Sequence, residues 1–195
     1  KDLALIGLDG RSHGHRGDQR ERHAALAAGV DPRSCVLGGS LRMRLALFQP
    51  DIPQNLGGAI RLAACLGAAL EVIEPCAFPL SDRSLKRASL DYGPQAEVVR
   101  RGSWSAFLAA PERGEGRLVL FTTRGAIPHH RFAFEAGDTL LFGQESAGAP
   151  EAVHAAAQAR VFIPIRAETR SLNLVTACAM GLAEALGQLQ AWPTR

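Results

Sequence analysis

VFIPIRAETRSLNL, residues 161–174, carries more information about the fold than any other part of the chain. Its first five residues are apolar and predict a strand, and an apolar pattern of helical period begins after Ser171. Polar segments between a buried strand and a buried helix are where α/β proteins bind ligands, because helix N-termini carry unpaired backbone N–H groups. The stretch therefore predicts an α/β protein with a ligand site at this turn.

Apolar strands alternate with helical patterns from Met43 onward. The predicted strands are Arg44–Phe48, Leu70–Ile73, Glu97–Val99, Leu118–Thr122, Thr139–Phe142 and Val161–Ile163. The predicted helices are Asn55–Gly67, Ser81–Leu90, Ser103–Ala110, Pro150–Gln158 and Ser171–Leu189. Because near-continuous apolar strands separated by helices are typical of parallel sheets, we expect a mostly parallel sheet covered by helices on both faces.

Residues 1–42 differ from the rest of the chain in composition. Gly10 to Glu21 reads GRSHGHRGDQRE, which is polar, contains glycine and lacks apolar periodicity. We expect residues 1–42 to be an N-terminal extension that is largely disordered, or that is upstream sequence not native to the protein. Residues 43–195 are expected to form the domain.

Composition excludes few classes of function. The net charge of +3, from 22 basic and 19 acidic residues, is too small to indicate nucleic-acid binding, which would need a local cluster of arginines. The four cysteines lack metal-ligand spacing, so no metal site is predicted. No apolar run reaches the roughly 18 residues of a membrane helix, and we expect a cytoplasmic protein that does not contact a membrane.

The first candidate site segment is NLGGAIR, from Asn55 to Arg61. Asn55 can cap the helix that follows the first strand, and Arg61 lies about one and a half turns into that helix. A guanidinium group at this place can bind a phosphate or a ribose near the strand ends. The alternative is a capped helix with a surface arginine, which the spacing alone favours.

Two further segments also follow apolar strands. In Gly143–Pro150, two glycines allow the backbone to approach a ligand closely, and Glu145 can accept hydrogen bonds from donors of the neighbouring loop, orient a substrate or cap a helix. In the third segment, Ser171 occupies a position typical of a helix N-cap, and Asn173 can fill the same role. The chain lacks the G-x-S-x-G, G-x-G-x-x-G and P-loop motifs, which argues against a serine hydrolase and the standard nucleotide sites.

One basic cluster falls on the helix predicted over Ser81–Leu90. Arg83, Lys86 and Arg87 have the i, i+3, i+4 spacing of one helix face, and Tyr92 follows closely. A solvated helix face is the default interpretation. The same residues are the best local candidates for contact with RNA, with Tyr92 either packing in the core or stacking on a base.

Together, the three segments resemble the motifs of the SPOUT superfamily of S-adenosylmethionine-dependent RNA methyltransferases. Its 2′-O-methylating branch has N-x-G-x-x-x-R, matched by Asn55, Gly57 and Arg61, then G-x-E-x-x-G, matched by Gly143, Glu145 and Gly148, and then I-P followed by S-[LM]-N, matched by Ile163, Pro164, Ser171, Leu172 and Asn173. The segments PDIPQN at 50–55, IEP at 73–75 and RASLDY at 87–92 are similar to those of enzymes that methylate the wobble nucleotide of tRNA, cytidine or uridine 34. The resemblance covers residues 43–195.

This resemblance implies a fold, partners and a reaction. The fold is a deep C-terminal trefoil knot, a rare exception to the rule that chains are unknotted. The partners are a second copy of the chain, in a homodimer, and the anticodon arm of tRNA. The reaction is methyl transfer from S-adenosylmethionine to the 2′-hydroxyl of the wobble ribose.

The resemblance also implies roles for individual residues. S-Adenosylmethionine would contact Phe121, Thr122, Gly143, Ile163, Ser171 and Leu172. The catalytic group would be Arg61, Asn55, Glu145 and Asn173, with Arg61 gripping the substrate phosphate and polarising the hydroxyl while the phosphate or water takes the proton. Arg83, Lys86, Arg87 and Tyr92 would contact the RNA. Ala147 departs from the pattern, because an arginine or lysine is common there.

Three alternatives remain at this point. The chain can methylate another position of tRNA or a position of ribosomal RNA. It can be a non-catalytic RNA-binding module that keeps the fold, although the intact Arg61, Glu145 and Asn173 argue against that. It can also be a generic α/β nucleotide-binding protein without a knot.

Overall fold

The computed structural model describes residues 43–80, 96–114 and 116–194. The strands are β1 (Arg44–Phe48), β2 (Ala69–Ile73), β3 (Val98–Arg101), β4 (Leu118–Phe121), β5 (Ile127–Pro128), β6 (Thr139–Phe142) and β7 (Ala159–Phe162). The helices are α1 (Pro53–Leu66), α2 (Trp104–Leu108), α3 (Glu151–Ala156) and α4 (Leu174–Gln188), with short 3-10 turns at Pro111–Arg113 and His129–Arg131.

The strands form one sheet in the order β3-β2-β1-β6-β4-β7-β5. Neighbouring strands are parallel in every pair among the described residues, which confirms the predicted α/β class with a mostly parallel sheet. Parallel strands are joined by crossovers that place helices on the sheet faces, so the strands themselves are buried on both sides. All positions of β2, β4 and β6 are buried accordingly.

Alternate residues of β1 enter two separate hydrophobic clusters, one on each face of the sheet. Leu45 and Leu47 pack on the face covered by α1 and α4, where Ile60 and Leu182 are also fully buried. On the opposite face, Ala46 and Phe48 belong to the cluster that contains Phe107 of α2 and Val153 of α3. Helices therefore cover both faces, as the sequence predicts.

Several predicted boundaries are wrong by one to three residues. The third strand is Val98–Arg101 rather than Glu97–Val99, and the last is Ala159–Phe162 rather than Val161–Ile163. The two-residue strand β5, which pairs with β7, was not predicted because it is too short to carry a periodic pattern. The predicted helix Ser81–Leu90 and the extension 1–42 lie outside the described residues.

The sheet places the three candidate segments at one edge. They follow β1, β6 and β7, and the order β1-β6-β4-β7 makes these strands close neighbours. Because the carboxyl ends of parallel strands lie at the same edge, the turns after them meet there. In the part of the chain that the structure describes, no helix is long and apolar enough to cross a membrane.

Candidate functional site

A cavity of about 580 Å³ opens where these turns meet. Its size is within the range of about 300–1,000 Å³ that is typical of small-molecule sites. The described residues that line it come from the ends of β4 and β6, the loops after β4, β6 and β7, the start of α1 with the residue before it, and the start of α4: Ile52, Asn55, Phe121, Thr122, Thr123, Phe142, Gly143, Gln144, Glu145, Ala147, Gly148, Ala149, Ile163, Ile165, Arg170, Ser171, Leu172, Asn173, Leu174 and Ala177.

The cavity contains most of the predicted site residues. All six residues predicted to contact the methyl donor line it, namely Phe121, Thr122, Gly143, Ile163, Ser171 and Leu172. Asn55, Glu145 and Asn173 line it as well. Segments that are more than 100 residues apart in sequence, at Asn55 and Asn173, thus contribute to a single concave surface.

Glu145 uses both carboxylate oxygens to join two loops. Its Oε2 accepts a hydrogen bond of 2.8 Å from the backbone N–H of Asp51, in the loop before α1. Its Oε1 accepts one of 2.9 Å from the side-chain Nδ2 of Asn55. Hydrogen bonds to an ionised acceptor are stronger than neutral ones, so Glu145 fixes the loop after β6 against the start of α1.

Asn55 and Asn173 extend this chain of hydrogen bonds to the third segment. Asn173 donates from Nδ2 to Oδ1 of Asn55 at 2.9 Å. The Oδ1 of Asn173 accepts from the backbone N–H groups of Val175 and Thr176, at 2.9 and 3.3 Å. One continuous network therefore links Asp51, at one end, to the first turn of α4 at the other.

This network corrects two predicted helix caps. Asn55 does not cap α1: the N-cap residue is Ile52, without a side-chain hydrogen bond, and Pro53 begins the helix. Asn55 is buried inside the first turn, where its amide serves the network. Ser171 does not cap the last helix, which begins at Leu174 with Asn173 as its N-cap, so the helix starts three residues later than Ser171.

Arg61 lies apart from the cavity. It is exposed on α1 and is not among the residues that line the pocket. It is six positions after Asn55, which corresponds to about 9 Å along the helix axis. The structure therefore brings Asn55, Glu145 and Asn173 together and leaves Arg61 at a distance on the same helix.

The predicted RNA contacts Arg83, Lys86, Arg87 and Tyr92 lie outside the described residues. Sequence reasoning missed three other residues at the site. Asp51 and Ser146 take part in its hydrogen bonds, and Arg170 is the one cationic residue among the described residues that line the cavity. For two of them the signal was adjacency to a motif residue, since Ser146 follows Glu145 and Arg170 precedes Ser171, and Asp51 lies in the PDIPQN segment at 50–55.

The described residues that line the cavity include no side chain suited to accept the hydroxyl proton. Among the described residues that line it there is no histidine, lysine or cysteine, and its one carboxylate, that of Glu145, already accepts two hydrogen bonds. Cys76 lies near this region, but burial, followed by the charge of Glu74, raises the pKa of its thiol to about 11, so it stays protonated at neutral pH. The described residues also contain no cluster suited to a metal ion.

A family profile and two known proteins similar to this chain indicate methyltransferases, and the two proteins carry the same activity name. A profile of the SpoU rRNA Methylase family matches residues 42–183. A tRNA (cytidine(34)-2′-O)-methyltransferase from Beijerinckia indica is 52% identical over 147 residues, which cover 75% of this chain and 92% of that protein. A protein of the same name from Ancylobacter novellus is 50% identical over 149 residues, covering 76% of this chain and 94% of its own length.

Solved structures agree with these sequence matches. One, from a study of the 2-OH methylation of C/U34 on tRNA, has a TM-score of 0.71 at 43% identity and covers 78% of this chain and 99% of its own. AviRb from Streptomyces viridochromogenes, a SpoU methyltransferase in complex with the cofactor AdoMet, has a TM-score of 0.69 at 27% identity and covers 82% of this chain and 65% of its own. These matches confirm the resemblance drawn from the three segments, and the chain belongs to the SpoU methylase family.

Proposed function

We propose that this chain is an S-adenosylmethionine-dependent tRNA methyltransferase that acts on the ribose 2′-hydroxyl of the wobble nucleotide, cytidine or uridine 34. The observation that carries the proposal is that the three motif segments line one cavity in a chain half identical to enzymes named for this reaction. The alignments cover more than 90% of the length of those two relatives, so the similarity is not limited to the residues of the cavity.

The cavity suits a methyl donor of this kind. Its apolar walls, which include Phe121 and Ile163, can enclose the adenine ring, and the glycine-rich loop after β6 brings backbone groups close to the ligand. Arg170 can pair with the carboxylate of the methionine part, because it is the cation among the described lining residues. The donor supplies an activated methyl group on a positively charged sulfur.

The protein's remaining task is to align the acceptor and assist one proton transfer. The methyl group moves from sulfur to the ribose oxygen, the sulfonium becomes a neutral thioether, and the hydroxyl proton leaves. A guanidinium stays protonated, so Arg61 serves as a hydrogen-bond donor that holds the substrate phosphate and polarises the hydroxyl. The phosphate or water takes the proton. Asn55, Glu145 and Asn173 hold the loops in place.

We further propose that the C-terminal part of the domain, which forms the cavity, is folded into a trefoil knot. Its support is the tight contact between the loop after β4 and β7: a Cβ atom added at Gly125 would lie 2.4 Å from the backbone carbon of Val161. The position of β4 between β6 and β7 in the sheet is also consistent with a chain end threaded beside an earlier loop.

The proposal includes the partners. The anticodon arm would contact the cluster Arg83, Lys86, Arg87 and Tyr92, and residues 1–42 would be an extension separate from the domain at 43–195. A homodimer in the cytoplasm is proposed, supported by a groove along α4 where Met180 is 39% exposed beside Glu184 and Gln188. The mass of the chain in solution, by analytical ultracentrifugation, tests the dimer.

Methylation of bulk tRNA with labelled S-adenosylmethionine, followed by nucleoside mapping, tests the function. We expect label only in 2′-O-methylcytidine or 2′-O-methyluridine at position 34. Label at another tRNA position, or in ribosomal RNA offered in parallel, would replace the proposed substrate. Binding of tRNA without any transfer would favour a non-catalytic RNA-binding protein.

Gly143→Ala should weaken donor binding. A Cβ atom at this position would lie 2.5 Å from the backbone carbon of Gly148 and 2.6 Å from the nitrogen of Ala149, so the backbone of the loop must move. Overpacking of this kind costs about 1–3 kcal/mol. We expect the dissociation constant for S-adenosylmethionine, measured by calorimetry, to rise by about tenfold or more.

Gly102→Ala is the matched control for Gly143→Ala, because a Cβ atom at Gly102 meets no atom within 4 Å. Unchanged donor affinity in Gly143→Ala would mean that this loop does not form the wall of the donor site.

A further inference from the structure

The loop after β6 is held by a second contact that the motifs do not contain. We infer that Asp51 and Ser146 form a clasp that fixes the cavity wall and thereby sets the affinity for the methyl donor. This inference rests on the proposed function, since it assumes that the donor binds in the cavity. Both are positioning residues, because neither is among the residues that line it.

The clasp is a two-point contact on one oxygen. Oδ2 of Asp51 accepts a hydrogen bond of 3.0 Å from the backbone N–H of Ser146 and another from the Ser146 hydroxyl. In the opposite direction, the backbone N–H of Asp51 donates to Glu145. Asp51 thus binds two successive residues of the same loop, one through its side chain and one through its backbone.

The loop held in this way is a short closed turn. Gln144 and Gly148 exchange two backbone hydrogen bonds of 2.9 Å, and Gly148 has a φ of 71°. Glu145 and Ala147 line the cavity, while Ser146 at the outer part of the turn is exposed. A contact at Ser146 therefore determines where the flanking residues stand without touching the ligand.

The anchor on the other side is rigid. Asp51 lies between Pro50 and Ile52-Pro53. Proline restricts its own backbone and that of the residue before it, so the residues on both sides of Asp51, Pro50 and Ile52, are restricted. Pro53 also begins α1, which carries Asn55. The clasp therefore ties the turn between Gln144 and Gly148 to the start of α1, a helix that packs in the core.

Two single variants and their combination test the clasp. Asp51→Asn weakens the acceptor, and Ser146→Ala removes the hydroxyl but keeps the backbone N–H. We expect each to raise the dissociation constant for S-adenosylmethionine about tenfold, the effect of losing one hydrogen bond to a charged group. The double variant should resemble Asp51→Asn alone, because both changes break the same contact. The kcat at saturating donor should fall less than the donor affinity does.

Rescue and controls separate positioning from general destabilisation. Ser146→Thr keeps both donors and should bind the donor within about twofold of the original chain. Ser105→Ala and Glu112→Gln remove an exposed hydroxyl and an exposed carboxylate in α2 and the 3-10 turn that follows, and should leave donor affinity unchanged. Because Ser146 is exposed and Asp51 is half-buried rather than in the core, the melting temperature of all variants should change little.

Three results would overturn the inference. They are unchanged donor affinity in Asp51→Asn, full additivity in the double variant, and a loss of affinity matched by a proportionate fall in melting temperature. The measurement needs no RNA. If the original chain binds the donor but methylates no tRNA, the proposed substrate fails and the clasp is still tested; if it binds no donor, both fail.

Discussion

Arg61→Ala should leave S-adenosylmethionine binding intact and reduce methyl transfer by about a hundredfold or more. The expected size is that of removing one donor that stabilises charge in a transition state. Donor binding is expected to persist because Arg61 is exposed on α1 and does not line the cavity. Calorimetry of the donor and single-turnover kinetics with tRNA measure the two effects separately.

Two further variants make this result specific. Arg61→Lys keeps the positive charge but loses the planar fork of donors, so its rate should fall between those of the original chain and Arg61→Ala. Arg160→Ala removes another exposed arginine, at the start of β7, and should have no effect on either quantity. Near-normal turnover of Arg61→Ala with position 34 methylated would refute the role of Arg61.

The sheet was predictable because its strands are nearly continuous apolar runs. All four positions are buried in both β4, Leu118–Phe121, and β6, Thr139–Phe142, so their apolar composition alone predicts them as strands. Helix ends were less predictable, since several polar residues near an end can serve as the cap. Ser171 and Asn173 were equivalent candidates by residue type, and only the fold determines that Asn173 accepts from α4.

The motif residues identified the cavity, and a contact of Glu145 with a neighbouring loop was expected, but the particular partner residues were not predictable. Asn55 meets Glu145 across 90 positions of sequence and Asn173 across 118. Neither local propensity nor spacing contains information about such pairs. The clasp between Asp51 and Ser146 was missed for the same reason, because each is an ordinary turn residue until the sheet brings the two loops together.

The directions of the hydrogen bonds explain why the network contains a carboxylate, that of Glu145. Backbone N–H groups occupy both ends: that of Asp51 at one end, and those of Val175 and Thr176 at the other. A side-chain amide between two partners accepts a hydrogen bond from one and donates a hydrogen bond to the other. The hydrogen bonds through Asn173 and Asn55 therefore all point the same way along the network. Two donors therefore meet at Glu145, and only a group with two acceptors satisfies them.

Glu145→Gln should consequently be severe although the two side chains have the same shape. The new amide has one oxygen, so its NH₂ group must face either the N–H of Asp51 or the Nδ2 of Asn55. Rotating Asn55 moves the conflict to Asn173, and rotating Asn173 removes the cap of α4. Each unsatisfied donor costs about 1–3 kcal/mol, so we expect donor affinity to fall by about ten- to a hundredfold in calorimetry.

A second substitution should reverse this loss. Asn55→Asp alone places a carboxylate against Glu145, and their repulsion should weaken donor binding at least as much. In the double variant with Glu145→Gln, the aspartate at position 55 accepts hydrogen bonds from Asn173 and from the NH₂ group of the glutamine at position 145. The oxygen of that glutamine accepts from the N–H of Asp51. The net charge is unchanged and every donor again has an acceptor. Donor affinity in the double variant should therefore exceed that of both single variants; a double variant weaker than either would show that hydrogen-bond direction does not govern this site.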